Sequence, residues 1–82
     1  MMVVWVVSED GSEDVPRGVL GVYAKKSKAM ELVREELAAA DYNPKSRYWS
    51  HSRTRWRGGI AESWFNSITG GSFTVEPWNA TP

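Results

Sequence analysis

The apolar positions along the chain form two clear patterns and one ambiguous one. Val3 to Val7 is an unbroken run of β-branched residues around Trp5. It is too short for a buried helix and made of strand formers, so it predicts a strand buried on both faces. Further on the period changes. Met30, Val33, Leu37 and Ala40 recur at three- and four-residue intervals with Ala29 beside them, while Glu31, Arg34, Glu35 and Ala38 face away. That spacing predicts an amphipathic helix over about 26–40, with Ser27 as its N-cap and Asp41-Tyr42-Asn43-Pro44 as its stop.

The segments around these two are read from weaker signals. Ser8 to Gly18 is polar and acidic, with Gly11 and Pro16, and predicts a loop or wide hairpin connection. Val19 to Tyr23 follows as a short second strand, antiparallel to the first. Ser72 to Trp78 predicts a closing strand with Phe73 and Val75 inward, and Pro77 places its end at a sheet edge or terminus. Lys45 to Arg57 alternates loosely, and an exposed strand or an ordered arm both fit. As a strand it would carry Tyr48, Ser50, Ser52, Thr54 and Trp56 on one face. Trp49, His51, Arg53, Arg55 and Arg57 would lie on the other.

Residues 60–69 are the ambiguous stretch. On a helical wheel Ile60, Ala61, Trp64, Phe65 and Ile68 fall within about 140°, with Glu62, Ser63, Asn66, Ser67 and Thr69 opposite. Trp, Phe, Ile and Thr are nevertheless strand formers, and Thr69-Gly70-Gly71-Ser72 suits a hairpin loop. A short helix is the favoured reading. The fold class expected is therefore α+β, one domain of 82 residues. It has a small antiparallel sheet, one main helix at about 26–40 and a second short helix at about 60–68. A first strand apolar on both faces needs cover on both sides. One helix covers one side, so the second layer falls to the Trp-rich 48–68 region or to a second copy of the chain.

Composition narrows the chemistry. With no Cys and a single His, neither disulfides nor a zinc site can support so short a chain, and five Trp, three Tyr and two Phe take over that task. No secretory signal is visible in the opening run and no stretch is long enough to span a membrane, so a cytoplasmic protein is expected. Formal charge is zero, but unevenly placed. Residues 1–41 hold eight acids against five bases. Residues 42–82 hold Lys45, Arg47, Arg53, Arg55 and Arg57 against Glu62 and Glu76.

Catalysis finds little to work with. A triad would have to recruit His51, whose Arg neighbours make it a poor base. Asp10, Glu13 and Asp14 lack the spacing of a calcium loop, Gly58-Gly59 and Gly70-Gly71 lack a phosphate-loop pattern, and Glu62 with Glu76 is no more than any two acids. No cofactor, metal or catalytic residue is expected. The one constellation with chemical content is Arg47, Tyr48, Trp49, Arg53, Arg55, Trp56 and Arg57, beside Lys45. Arg and aromatic side chains dominate protein hot spots, and the same mixture can neutralise phosphates and stack on bases. The plainer account is that both Trp belong to the core while the Arg side chains solubilise an edge strand and pair with the chain's own acids.

The strand, acidic loop, Gly18-Val19-Leu20-Gly21-Val22-Tyr23 and Lys-Ser-Lys-Ala helix opening resemble a diffuse group of small phage and bacterial proteins. Ser72-Phe73-Thr74-Val75-Glu76-Pro77-Trp78 looks like their closing strand. The resemblance covers about half the chain, leaves 45–68 unmatched and transfers no functional residue. It implies phage origin and action on a host factor. The expectation is a non-enzymatic binding protein, a modulator or inhibitor of a host protein acting through the Arg/Trp-rich segment. The alternative is a nucleic-acid-binding module on the same patch, and a homodimer on the aromatic surface is compatible with either.

Overall fold

In a computed structural model that describes residues 2–11 and 18–79, the elements run β1 (Val3–Asp10), β2 (Gly18–Tyr23), α1 (Lys26–Ala39), β3 (Trp49–Trp56), β4 (Gly59–Asn66) and β5 (Ser72–Asn79). The strands form one antiparallel sheet in the order β2-β1-β5-β4-β3. This is the α+β class with a small antiparallel sheet and one main helix. The expected loop from Ser8 to Gly18 falls mostly outside the described residues, at 12–17, and its first residues extend β1 instead.

Helix α1 lies on one face, over β1, β2 and β5. Its stripe is set by four-residue spacing: Ala29, Val33 and Leu37 are buried against Val7, Trp64, Phe73 and Val75. Met30 and Leu32 pack at the margin, whereas Ala40 is exposed. The expected N-cap at Ser27 is corrected. Lys25 occupies that position in extended conformation, and no side chain caps the first turn. At the other end Asp41 takes φ 57, and the amides of Asp41 and Tyr42 donate to the carbonyls of Ala38 and Leu37. That pair of bonds closes the helix as a Schellman turn, with Asp where Gly is usual.

The second short helix expected at 60–68 is absent: residues 60–66 belong to β4, and 67–68 to the turn after it. Both periods suit the segment locally, and long-range pairing decides between them. As a strand it aligns Ile60, Glu62 and Trp64 on the helix side and pairs all eight residues with β3. The loop into β5 is fixed by Asn66, whose Oδ1 accepts from the amides of Ile68 and Thr69, and by Gly70 at φ 76. This is side-chain turn chemistry that a helix has no use for.

Of the two places expected, Pro77 lies near the terminus of β5 and not at a sheet edge, since β5 is the central strand. The amide of Asn66 donates to Gly71, which makes Asn66–Gly71 a hydrogen-bonded pair. Counting by two along β5, residue 77 turns its backbone nitrogen toward β4. Pro has no N–H to donate there. The β4–β5 ladder accordingly ends at Glu62–Val75, before it reaches Pro77. Beyond that point Gly58 and Gly59 tuck beneath β1 and β5, and a Cβ on Gly59 would come within 2.6 Å of the Trp5 ring.

Among the described residues, the 48–68 region does not supply the expected cover for the second face of β1. Val7 is fully buried beneath α1, but Val4 and Val6 on the opposite face are only half-buried. The 48–68 region joins the sheet as β3 and β4 rather than forming a second layer. Among the described residues no helix or second layer packs on that face.

Candidate binding edge

Strand β3 is the outer strand, paired on one side with β4 from Trp49–Asn66 to Trp56–Gly59. Its alternation follows the sequence pattern: Trp49, His51, Arg53 and Arg55 lie on the helix side, with Ser50, Ser52, Thr54 and Trp56 on the open side. The direction of its free backbone groups follows from two bonds. The amide of Ser67 donates to the Tyr48 carbonyl, while the amide of Trp49 turns away from β4 to Ser46. Period two then directs the N–H and C=O groups of His51, Arg53 and Arg55 away from the sheet. The three residues that offer a free backbone edge therefore also carry the basic side chains of the helix-side face.

The seven residues singled out from the sequence are not brought into one patch. Arg53 and Arg55 are exposed neighbours on the helix side, and Arg57 is exposed in the turn that follows. Trp49 is half-buried, edge-on to Tyr42 at 5.2 Å between ring centroids, and belongs to the core margin. Tyr48 and Trp56 stand at opposite ends of the strand. Arg47 donates to the Tyr48 hydroxyl at 2.8 Å and lies 5.0 Å from that ring's centroid. Trp56 is 47% exposed on the open face.

Lys26, His51 and Glu62, none of them in the Arg/Trp constellation, form the centre of the helix-side surface. Glu62 is buried on β4. It accepts from Lys26 Nζ at 2.9 Å, lies 3.0 Å from His51 Nε2 and has Arg53 Nε at 3.7 Å. His51 stacks flat on Trp64, with centroids 4.7 Å apart. Lys26 also lies 5.3 Å from the centroid of the Trp5 ring. Burial alone pushes the Glu62 carboxyl up, but the Lys26 ammonium, aided by His51 and Arg53, outweighs it and holds the group below its ordinary value. The helix reading hid this cluster by turning Glu62 outward. In the strand reading, an acid flanked two residues away by Ile60 and Trp64 points inward and needs a cationic partner.

The cluster orients an imidazole against a carboxylate, but Ser52 and Ser63, bonded to each other at 2.7 Å, lie on the opposite face of the sheet. Among the described residues no group of His, Asp and Glu is arranged to hold a metal ion, and no helix is long and apolar enough to cross a membrane. Among the described residues, the helix side presents a cationic surface beside an outer strand edge. One carboxylate neutralises part of it, and Arg55 and Arg57 extend it.

The edge is poorly suited to pairing with itself. A twofold antiparallel pair of β3 strands must place residues of the same face opposite one another. The central registers then set Arg53 against Arg53, His51 against Arg53, or Arg53 against Arg55. Basic side chains on an edge strand guard it in this way. Compared with protein-family models, with curated proteins and with solved structures, the chain matches none.

Proposed function

We propose that the protein is a small, non-enzymatic binding module that captures an extended acidic segment of another protein along β3. The single observation that carries this reading is the coincidence at His51, Arg53 and Arg55. Each offers an outward N–H and C=O and a basic side chain on the same face. A guest strand added there would gain main-chain bonds, and acids at alternate positions would lie beside the basic side chains. The resemblance of residues 18–23 and 72–78 to phage proteins supports a phage-encoded modulator of a host protein, working in the cytoplasm.

The test is a fluorescence titration with a capped peptide as long as β3 that alternates Glu and Thr, beside the same peptide with Gln for Glu. The Glu peptide is expected to bind, to weaken between about 50 and 500 mM salt, and to lose about tenfold in affinity when Arg53 and Arg55 are both replaced by Ala. Equal binding of the Gln peptide would remove the electrostatic part of the reading. A thymidine oligonucleotide that binds more tightly than the peptide, with a steep salt slope, would transfer the patch to nucleic acid.

A further inference from the structure

Among the described residues, the open face of the sheet carries charge opposite to that of the basic side chains on β3. Among its described residues the charged groups are Asp10 and Glu76, both acidic, and the exposed apolar ones include Val19, Val22, Trp56, Phe65 and Trp78. Between them runs a row of small hydroxyls, in which Ser8 bonds Thr74 and Ser63 bonds Ser52. Because Ala61 is the smallest side chain in its row, it floors a depression of about 160 Å³ walled by Trp56, Thr54, Ser63, Thr74 and Glu76. Trp78 Nε1 donates to Glu76 Oε2 at 3.2 Å and so steadies the carboxylate at the rim.

We infer that this depression is a receptor for one cationic side chain, an Arg or Lys of a partner segment lying across the open face. Its volume is well below the roughly 300–1,000 Å³ of sites for cofactors and drug-sized ligands and suits a single side chain. An exposed indole as wall and a carboxylate at the rim are the two groups that attract a cation together. The apolar stem would lie on Ala61, and the hydroxyls of Thr54, Ser63 and Thr74 can accept from its head. A second copy docked face to face would offer these acids no basic group from the described residues of the same face, whereas a basic segment meets them with opposite charge. This surface is separate from β3's outward edge, and the inference stands without the acidic-segment reading.

The probes are N-acetylarginine amide, its neutral isostere N-acetylcitrulline amide, and methyl glucoside, added to the intact protein at constant ionic strength. Binding is followed by the Trp56 indole N–H and the Thr54, Ala61 and Thr74 amides in two-dimensional NMR. The arginine amide is expected to move these signals at millimolar concentrations, at least about fivefold more tightly than the citrulline amide. Glu76→Gln should abolish that difference, and Trp56→Ala, at an exposed position, should weaken binding with the far-ultraviolet spectrum unchanged. The inference is overturned by equal shifts from citrulline amide or glucoside. It is equally overturned by Glu76→Gln and Trp56→Ala proteins that bind as the parent does, or by shifts confined to Lys26 and Glu62. Sedimentation showing a dimer that Trp56→Ala dissolves would assign the face to a second copy and refute it as well.

Discussion

Replacing Glu62 with Gln removes one charge from the helix-side surface and almost no volume. The carboxylate is buried, its closest partner Lys26 lies at 2.9 Å, and the Lys26 side chain is 29% exposed. A hydrogen bond to a charged group contributes about 1.5–3 kcal/mol. Part of that is recovered here, because Lys26 and His51 can return toward water. Arg53, mostly exposed at 3.7 Å, adds little. Glu62→Gln is therefore expected to cost about 1–2 kcal/mol at neutral pH, read by urea unfolding, with about 4–8 °C of Tm per kcal/mol. The folded carboxyl titrates below its ordinary value of 4.5, so the contribution is complete above that pH. It is lost as pH falls through the lower, folded value, when Glu62 takes up the proton. The two proteins should converge at low pH. A gap below about 0.3 kcal/mol at neutral pH would refute the reasoning, since a bonded carboxylate cannot be worth so little. So would a gap that persists unchanged near pH 3, where the carboxyl of the unfolded chain is protonated.

The turns give sharper mutational contrasts. Gly59→Ala should destabilise by more than about 2 kcal/mol in urea unfolding, because its Cβ would meet the Trp5 ring at 2.6 Å on a positive-φ backbone. Gly70→Ala, at φ 76 with open space around it, should cost only the backbone strain of about 1–2 kcal/mol. Asp41→Gly should raise stability by about 0.5–1 kcal/mol, as it relieves a left-handed residue and removes an acid from the negative end of α1. A loss of stability there would show that Asp41 makes a compensating contact. Arg53→Ala and Arg55→Ala should each leave the urea midpoint almost unchanged while weakening capture of the acidic peptide. Large destabilisation without a binding defect would make both residues structural.

The parts of the fold legible in the sequence are those whose pattern is local. Val3–Val7, the Ala29–Val33–Leu37 stripe, and Phe73 with Val75 declare a strand, a helix and a strand without outside help. Residues 60–66 do not, because Ile, Ala, Trp and Phe at those spacings satisfy both periods. Eight cross-strand pairs with β3 settle the matter, and they are invisible in one dimension. The Asn66–Gly70 turn was the available local signal, since an Asx turn closed by a left-handed glycine marks a hairpin. The place of Pro77 depended on strand order, which has β5 inside the sheet. The alternation of basic and hydroxyl residues along β3 was readable from spacing alone. The Glu62 cluster was not, because Lys26, His51 and Glu62 meet only once the hairpin and helix are placed together.

Amide hydrogen exchange along β3, with and without the alternating Glu–Thr peptide, tests the central claim most directly. In the free protein the outward amides of His51, Arg53 and Arg55 should exchange fast, while those of Ser52 and Thr54, directed at β4, are slow. Saturating peptide should slow His51, Arg53 and Arg55 together by about tenfold or more, as expected for newly formed ladder bonds, and leave the alternate residues as they were. Binding that leaves those three amides fast would contradict capture along the β3 edge.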